Sequence, residues 1–544
     1  MLQIKNVTIT HQKDLKILLE DISFTLQKGD KAVIIGEEGN GKSTLLKWIF
    51  DPALIDSYAQ AKGERIASGE RLGYLAQELT ESDRALSVLA YFEQSSRFYE
   101  VSPRDLAKLT QKLRLEKDFY YQEQSLGTLS GGEKVKAQLL RLLLEEPTVL
   151  LLDEPSNDLD LSTLEILEEI ILDFPGIVLF ISHDEVLIEH TANMVLHIEQ
   201  VYKKRESRFT CERLSYADYV RTRQALFDRQ NQQAAEDLRA KRIRDAKYQR
   251  IFERVEYEQD IITRQNPSGG RLLEKKMHAV KSMGHRFERE DENMTKRPIR
   301  EDAIDFSFGL LAKPLPAAKV VLDYQLDELR IGEGDSARVL ARNIRLHVQG
   351  GEKICIIGAN GAGKTTLLRK IADQLLSRPD LAVIYMPQQY EESLKLEMDP
   401  VRYLMEVTDL KTARITDRHE TANERKQREE REKQGIGVTE RQWETHIRTY
   451  LAAPRFTEEE MHHPIRELSG GQKAKLFLLR MNLSQANVLI LDEPTRNFSP
   501  LSGPVIRRML REFPGAIISV SHDRKYMEEV CDKVLELTPE GLFS

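Results

Sequence analysis

The length of 544 residues is enough for about three domains with large buried cores. The formal net charge of −8 excludes an overall attraction for phosphate backbones and limits any nucleic-acid contact to a local surface. The sequence has no apolar run of about 18 residues, no secretory signal pattern and only three widely separated cysteines, at 211, 355 and 531. These features exclude a membrane span and a disulfide framework, argue against a zinc site, and predict a cytoplasmic protein.

The first part of the chain alternates short apolar strands with helical patterns. Predicted buried strands cover 31–36, 148–155 and 177–183, and the first of them runs into a glycine-rich turn that opens a helix. Continuous apolar strands that alternate with helices are typical of a parallel sheet covered on both faces. We therefore predict an α/β domain over residues 1–207.

Residues 208–305 lack a strand pattern and carry a local excess of positive charge. Between 217 and 300 there are 20 basic and 14 acidic residues, a net charge of +6. Apolar residues recur at helical spacing on both sides of the sequence NPSGG (266–270), and these residues are Tyr248, Phe252, Val255, Ile262, Leu273, Met277, Val280 and Phe287. The spacing predicts a hairpin of two antiparallel helices with an apolar seam and a short tip near 265–271.

Residues 306–544 repeat the motifs of the first part in the same order. The interval from the SGG turn to the DE pair is 23 positions in both copies, and the interval from that pair to the next histidine is 30 in both. Predicted strands at 353–358, 487–494 and 516–522 match those of the first copy. The chain therefore holds two copies of one α/β domain, and we predict a charged insertion near 411–440 in the second.

Both copies contain the phosphate-binding pattern G-x-x-x-x-G-K-[ST], the P-loop, between an apolar strand and a helix. Its glycines turn backbone N–H groups toward phosphates, its lysine reaches the β- and γ-phosphates, and its hydroxyl is suited to Mg²⁺. The pattern predicts that each copy binds ATP with Mg²⁺. The predicted nucleotide-binding residues of the first P-loop are Gly36, Gly39, Asn40, Gly41, Lys42, Ser43 and Thr44. Those of the second P-loop are Gly358, Asn360, Gly361, Ala362, Gly363, Lys364, Thr365 and Thr366.

Acidic and polar side chains follow the other predicted strands and complete a catalytic set. The predicted Mg²⁺ ligands are Ser43, Gln77 and Asp153 in the first copy and Thr365, Gln388 and Asp492 in the second. Glu154 and Glu493 are predicted to polarise the attacking water. His183 and His522 are predicted to contact the γ-phosphate, and Gln77 and Gln388 to sense the metal and the water.

A second glycine turn, LSGGE in the first copy and LSGGQ in the second, distinguishes this chain from many other P-loop ATPases. We call it the signature turn. Its predicted phosphate-binding residues are Ser130, Gly131, Gly132 and Glu133 in the first copy and Ser469, Gly470, Gly471 and Gln472 in the second. Because each signature turn lies far along the chain from its own P-loop, we predict a head-to-tail pairing. The P-loop of one copy then faces the signature turn of the other, and two ATP molecules close the pair within one monomer.

With these motifs, the sequence resembles the ATP-binding-cassette proteins, and within them the ABC-F family, which has two cassettes, no membrane domain and a charged hairpin between the cassettes. The resemblance covers essentially the whole chain. It implies an ATPase that binds the E site of the 70S ribosome when loaded with ATP. The hairpin of such a protein points toward the P-site tRNA and the peptidyl-transferase centre in 23S rRNA, and hydrolysis releases the factor.

The resemblance also implies that the 217–300 hairpin carries the RNA contacts. The candidate RNA-binding residues are Arg242, Arg244, Lys247, Arg250, Lys275, Lys276, Lys281 and Arg286. The interval from Gln77 to Ser130 is only 53 positions, compared with 81 from Gln388 to Ser469. This short interval and the sequence RNFSPLSGPVIR (496–507) are similar to resistance members, which protect ribosomes from antibiotics acting at the peptidyl-transferase centre. That reading is favoured, and a housekeeping elongation or regulatory factor is the alternative.

Several positions depart from the usual cassette pattern. Glu37 and Glu38 lie in the first P-loop, where acidic side chains beside a triphosphate are unfavourable unless they point outward. Glu133 replaces the usual glutamine, Asp158 replaces a common histidine, and the segment 495–500 departs further. These departures suggest two unequal ATP sites. His11 is a candidate for stacking on the first adenine, and no aromatic residue is a good candidate for the second.

Two other classes of ATPase fit less well. An exporter subunit needs a membrane partner and leaves the basic hairpin without a role. A DNA-repair ATPase is disfavoured because zinc-type cysteine clusters and very long coiled coils are missing, and no DNA partner is expected.

Overall fold

The computed structural model describes residues 1–157, 159–201, 206–261, 267–296, 314–332, 338–407 and 440–543. The chain forms two compact units, one of residues 1–216 with 301–544 and one of residues 217–300. We call residues 1–216 the first cassette and 301–544 the second cassette. The predicted fold class, two α/β domains in tandem with a helical hairpin between them in sequence, is confirmed. Most of the predicted insertion, residues 265 and 266 of the predicted tip, and Ile262 of the predicted seam lie outside the described residues.

The first cassette contains two sheets. Its strands are β1 (Leu2–His11), β2 (Ile17–Leu26), β3 (Lys31–Ile35), β4 (Ala59–Ile66), β5 (Leu72–Leu75), β6 (Val149–Asp153), β7 (Ile177–Ile181), β8 (Met194–Val201) and β9 (Glu206–Glu212). The larger sheet has the order β5-β6-β7-β3-β8-β9, and only β9 runs antiparallel to its neighbour. The smaller sheet, β2-β1-β4, is antiparallel and was not predicted.

The helices of the first cassette follow the strands at the positions expected for an α/β domain. They are α1 (Lys42–Phe50), α2 (Glu81–Ala85), α3 (Val88–Glu93), α4 (Pro103–Lys112), α5 (Gly131–Leu144), α6 (Leu161–Asp173) and α7 (Glu185–Thr191). Residues of β3, β6 and β7 are fully buried, which explains their continuous apolar sequences. One hydrophobic core joins the inner faces of both sheets and α1.

The second cassette repeats this architecture. Its strands are β10 (Val320–Ile331), β11 (Arg338–Gln349), β12 (Lys353–Ile357), β13 (Val383–Met386), β14 (Val488–Asp492), β15 (Ala516–Val520), β16 (Lys533–Thr538) and β17 (Gly541–Phe543). The order β13-β14-β15-β12-β16-β17 matches that of the first sheet, and β10 and β11 form an antiparallel pair. Its described helices are α10 (Lys364–Leu376), α11 (Pro400–Val407), α12 (Glu440–Ala452), α13 (Glu458–His462), α14 (Gly470–Leu483), α15 (Gly503–Glu512) and α16 (Arg524–Val530).

The second unit is the predicted helical hairpin. It consists of α8 (Tyr216–Ile261) and α9 (Pro267–Glu292), whose lengths are about 69 Å and 39 Å at 1.5 Å per residue. The apolar seam predicted from the sequence includes the buried residues Val255, Met277 and Val280. Gly284 belongs to the same contact, because a Cβ atom there would lie 2.6 Å from the Tyr248 hydroxyl.

The hairpin begins later in the chain than the predicted boundary at residue 208. That boundary cuts through β9, which pairs with β8 along its whole length and therefore belongs to the sheet of the first cassette. The described helices include none that is long and apolar enough to cross a membrane.

Candidate active site

Each P-loop is held in shape by a glycine that no other residue could replace without displacing a neighbouring strand. Gly36 and Gly358 both have φ of +146°. A Cβ atom would lie 2.2 Å from the Ile198 carbonyl oxygen at the first glycine and 2.6 Å from the Leu537 carbonyl oxygen at the second. Both loops then open a helix, α1 or α10, whose first residue is the P-loop lysine.

The two P-loop lysines adopt the same pose. Lys42 Nζ donates hydrogen bonds of 2.9 Å to the carbonyl oxygens of Gly36 and Glu37. Lys364 Nζ donates at 2.7 Å and 3.0 Å to those of Gly358 and Ala359. Burial lowers the pKa of Lys364. A buried ammonium group at the N-terminus of a helix is suited to phosphate oxygens.

The acidic pairs lie where the sequence predicted, at the ends of β6 and β14. Glu154 and Glu493 have φ of 49° and 52°, a left-handed backbone that turns each carboxylate away from the strand axis. In the first cassette Ser43 Oγ donates to Asp153 Oδ1 at 2.7 Å, and Tyr74 donates to Oδ2 at 3.0 Å. Burial raises the pKa of Asp153.

Glu154 is surrounded by polar groups that stabilise its charge. Gln77 Nε2 donates to Oε2 at 2.8 Å, Asn157 Nδ2 donates to the same oxygen at 2.6 Å, and His183 Nε2 lies 3.3 Å from Oε1. Burial opposes ionisation, but His183, Lys42 and Asn157 outweigh it and hold the pKa of Glu154 at about 2. The structure thus gathers the predicted catalytic residues of the first cassette around one ionised carboxylate.

Glu493 lies in a less polar environment. Its Oε2 accepts only long hydrogen bonds, at 3.4 Å from Ser521 Oγ and 3.3 Å from the His522 backbone N–H. Burial and then the charge of Asp492 raise the pKa of Glu493 to about 8. Burial and the charge of Lys364 lower the pKa of His522 to about 4. The two predicted general bases therefore lie in different electrostatic environments.

The residues predicted to hold Mg²⁺ fit that ion. Both carboxylate oxygens of Asp492 are buried and accept no hydrogen bond of ordinary geometry from the described residues; the Thr365 side chain lies close enough to lower the pKa of Asp492, but burial outweighs it and raises that pKa to about 6. A buried carboxylate without partners is costly unless a cation or its water ligands satisfy it. Thr365 and Gln388 line the same cavity. Bound Mg²⁺ would neutralise phosphate charge beside these residues.

The signature turns begin α5 and α14 with reciprocal capping hydrogen bonds. Ser130 accepts from the N–H of Glu133 at 3.3 Å, and the Glu133 carboxylate accepts from the N–H of Ser130 at 2.9 Å. Ser469 and Gln472 form the same pair of contacts at 3.3 Å and 2.8 Å. Glu133 therefore caps its helix in the same way as the glutamine that is usual at this position. The glycines after each serine place the N-terminus of the helix opposite the other cassette.

The cassettes meet head to tail, as the sequence predicted. We call the P-loop of the first cassette with the signature turn of the second the first site, and the reverse combination the second site. In the first site, Glu38 accepts a hydrogen bond from the N–H of Gly471, and His183 Nδ1 donates to the Phe498 carbonyl oxygen at 2.7 Å. In the second site, Gly131 and Lys364 line one cavity.

The two sites differ in size. The second-site cavity has a volume of about 710 Å³, whereas the first-site cavity has about 270 Å³. Small-molecule sites usually span about 300 to 1,000 Å³, so only the second lies within that range. The difference in cavity volume agrees with the two unequal ATP sites suggested by the departures from the usual cassette motifs.

Several cavity residues were not predicted from the sequence. Ile331, Arg338 and Leu340 line the second cavity from the ends of β10 and β11, and Leu18 lines the first from β2. These residues could have been predicted only by recognising the antiparallel strands that precede each P-loop in the sequence. His11 is not among the residues that line the first cavity, and its Nδ1 lies 2.7 Å from Asp14 Oδ1.

Glu37 and Glu38 both contact the second cassette, and of the two only Glu38 is exposed to solvent. The Glu37 side chain is 12% exposed, with Oε2 2.7 Å from Lys475 Nζ, and its Oε1 accepts from Ser499 at 2.7 Å and Ser502 at 2.9 Å. Burial alone would raise the pKa of Glu37, but Lys475 and the two serines outweigh it and hold the pKa at about 2. The acidic P-loop residues are tolerated because the other cassette neutralises or binds them.

The low pKa of Glu37 predicts a pH-dependent contribution to stability. The pKa lies below its ordinary value of 4.5, so the stabilisation is present above pH 4.5 and is lost as the pH falls toward about 2. The shift corresponds to about 3 kcal/mol. We expect Glu37→Gln to lower the urea midpoint at pH 6 and to differ less from the unaltered chain at pH 3.5. Glu78→Gln, at an exposed position, is the control, and a difference that does not vary with pH would contradict the assignment.

The predicted RNA-binding cations of the hairpin differ in their exposure and in their ion pairs. Arg244 is held inside the hairpin, because its guanidinium group bonds to Asp291 and Glu290 and lies 4.5 Å from the centre of the Phe287 ring. Lys276 is 3.7 Å from Glu258, and Arg286 is 3.4 Å from Glu290. The remaining five are exposed and form no ion pair with the described residues, and they are Arg242, Lys247, Arg250, Lys275 and Lys281.

Comparison with known proteins supports the assignment of two ATP-binding cassettes. A family model described as ABC transporter matches residues 19–157 and 341–496, more than half of the chain. The chain is 27% identical over 546 residues to the ribosome protection protein VmlR of Bacillus subtilis (strain 168), covering 96% of this chain and 85% of that protein.

Similarity to two further proteins extends over nearly the whole chain. The identity to the energy-dependent translational throttle protein EttA of Haemophilus influenzae is 27% over 559 residues, covering 96% of this chain and 90% of that protein. The fold is also similar to that of an archaeal ribosome recycling factor, aABCE1, crystallised with the ribosomal stalk protein aP1. That similarity has a TM-score of 0.55 at 16% identity and covers 99% of this chain and 89% of the other.

Proposed function

The chain belongs to the ABC transporter family, and from this membership we propose that it is an ABC-F ATPase that acts on the ribosome. The cassettes make the chain an ATPase. The observation that carries the ribosomal role is the combination, in one chain, of paired ATPase cassettes with a hairpin that exposes unpaired cations. An exporter subunit has no use for such a hairpin.

The proposed mechanism uses ATP to bring a P-loop and the opposite signature turn together. A γ-phosphate between Lys364 and Gly131 would be bound from both cassettes, and ADP would lose the contact to the signature turn. The ATP-bound monomer would bind the ribosomal E site in the cytoplasm, and hydrolysis would release it. Glu154 and Glu493 would polarise water, and the paired histidines would orient the γ-phosphate.

The hairpin supports contact with RNA phosphates. Arg242, Lys247 and Arg250 on α8, with Lys275 and Lys281 on α9, are exposed and have no ion pair with the described residues. Cations of this kind bind the phosphates of A-form RNA without reading sequence. We therefore propose that 23S rRNA and the P-site tRNA are the partners of the 217–300 unit.

Reversing four hairpin charges is expected to weaken ribosome binding. The variant Lys247→Glu/Arg250→Glu/Lys275→Glu/Lys281→Glu should bind 70S ribosomes at least about tenfold more weakly and show a smaller salt dependence. Binding of ATP should not change, since the P-loops are untouched. The measurement is ribosome affinity by co-sedimentation at several salt concentrations.

A matched control separates hairpin contacts from net charge. Four exposed lysines of the first cassette, changed together as Lys5→Glu/Lys13→Glu/Lys28→Glu/Lys62→Glu, give the same change in formal charge. This variant should keep most of its ribosome affinity. Equal losses in both variants would remove the hairpin as the RNA-binding element.

The experiment that tests the ribosomal role is co-sedimentation of the Glu154→Gln/Glu493→Gln variant with 70S ribosomes. We expect the protein in the pellet with ATP and in the supernatant with ADP. No pelleting with either nucleotide would remove the ribosome as partner.

We propose further that the ribosome-bound protein protects the peptidyl-transferase centre from antibiotics. Residues 76–130 of the first cassette are all described and form short helices of the cassette itself, which leaves no room there for the arm insertion of many housekeeping members. The alternative, a housekeeping translation factor, is supported by the equal identity to VmlR and to EttA. Expression in a sensitive host distinguishes them. A raised inhibitory concentration of a phenicol, oxazolidinone, lincosamide or pleuromutilin supports protection, and no change supports the housekeeping role.

A further inference from the structure

The first site contains an acidic side chain at the position suited to a phosphate. The Glu38 carboxylate accepts a hydrogen bond from the N–H of Gly471, the second residue of α14. A Cβ atom on Gly470 would lie 3.2 Å from Glu38 Oε1, and one on Gly471 would lie 3.0 Å from Oε2. The first N–H groups of a helix lack partners within the helix and carry the positive end of its dipole. Glu38 therefore already provides the anion that this signature turn binds.

Glu37 fixes the backbone that carries Glu38. Its carboxylate is buried between the first P-loop and the second cassette, where Lys475, Ser499 and Ser502 bind both oxygens. A buried ion pair with two further hydrogen bonds is costly to break, because either partner would be left as an unpaired buried charge. Glu38 is thus held against Gly471 by its neighbour as well as by its own hydrogen bond.

The second site lacks both acidic side chains. The residues that correspond to Glu37 and Glu38 in the second P-loop are Ala359 and Asn360. Asn360 and Gly131 line the same cavity of about 710 Å³, compared with about 270 Å³ in the first site. The difference between the two sites therefore lies at the position where a P-loop meets the opposite signature turn.

We propose that Glu38 makes the first site selective for nucleoside diphosphates over triphosphates, so that the γ-phosphate of ATP is bound by a signature turn only in the second site. A γ-phosphate in the first site would compete with a carboxylate of the same charge for the Gly471 N–H. A diphosphate is bound by Lys42 and the P-loop amides and needs no contact with Gly471. Closure of the cassettes would then respond to one ATP rather than two.

The test measures nucleotide preference at one site at a time in the full chain. Lys364→Ala weakens the second site and leaves the first to be titrated with fluorescent MANT-ADP and with MANT-AMP-PNP, a triphosphate analogue that resists hydrolysis. In this background we expect MANT-ADP to bind more tightly. Adding Glu38→Asn, which copies the second P-loop, should shift the ratio of the two dissociation constants toward the triphosphate by about tenfold or more, because one negative charge is removed beside the γ-phosphate.

The reciprocal change provides an independent measurement. In a Lys42→Ala background, Asn360→Glu should shift the preference of the second site toward MANT-ADP by a similar factor. Glu38→Gln keeps the length of the side chain and removes only its charge, so it should behave as Glu38→Asn does. An unchanged ratio in the folded Glu38→Asn and Glu38→Gln variants would overturn the proposal. If the Glu38 variants fail to fold, an unchanged ratio of the MANT-ADP and MANT-AMP-PNP dissociation constants in the Asn360→Glu variant would overturn the proposal.

Discussion

The variant Glu154→Gln/Glu493→Gln is expected to lose ATP hydrolysis by a factor of about 10² to 10⁴, the usual contribution of a general base. Glutamine keeps the length of each side chain but cannot accept the proton of the attacking water. The two P-loops, including Lys42 and Lys364, are unchanged, so nucleotide binding should persist. Phosphate release under steady-state conditions measures the loss, and MANT-nucleotide titration measures the retained binding.

The control for this variant replaces an exposed glutamate in each cassette. Glu78→Gln/Glu459→Gln makes the same chemical change at positions that lie on the surface. Its hydrolysis rate should equal that of the unaltered chain. A normal rate in the Glu154→Gln/Glu493→Gln variant would mean that the general bases lie elsewhere.

A second large effect is expected at the buried ion pair between the cassettes. Arg507 of α15 binds both carboxylate oxygens of Glu185, at 2.8 Å and 3.1 Å, and its side chain is only 3% exposed. Burial raises the pKa of Glu185 despite the nearby Arg507 and Lys525. We expect Arg507→Met to reduce the free energy of unfolding by about 3 to 5 kcal/mol, because it leaves Glu185 buried without its main partner. Chemical denaturation of the two proteins measures the difference.

The partner residue provides the control for that prediction. Arg507→Met/Glu185→Leu removes both charges and should recover much of the lost stability, since an apolar pair can replace a buried ion pair. Arg511→Met, at an exposed position of the same helix, should have little effect. If the double variant is no more stable than Arg507→Met, the loss does not arise from an unpaired Glu185.

The sequence predicted the parts of the fold that depend on local pattern. The continuous apolar runs became β3, β6 and β7 because a parallel strand buried on both faces needs no polar residue. The LSGG turns became capped helix N-termini because Ser130 and Ser469 each precede a polar residue at the third helical position. The antiparallel sheet β2-β1-β4 was missed, because its strands pair at bulged register and alternate less regularly.

The sequence motifs of the candidate site could be predicted, but the side-chain contacts between distant residues could not. The motif spacing identified the P-loops, which follow β3 and β12, and the acidic pairs, which lie at the ends of β6 and β14. The partner of Glu37 could not be predicted, since Lys475 lies 438 positions away and nothing local marks it. The ion pair of Arg244 with Asp291 of the facing helix could not be predicted either, since it depends on how the two helices of the hairpin pack.

The left-handed backbone at Glu154 and Glu493 affects any attempt to make this protein more heat-resistant. A residue with a Cβ atom pays about 1 to 2 kcal/mol for such a conformation, whereas glycine adopts it readily. A search guided by stability alone would therefore favour glycine at both positions. Such a search would remove the two carboxylates that we propose polarise water, so a stabilised chain selected without an activity assay would be expected to retain the fold and lose its turnover.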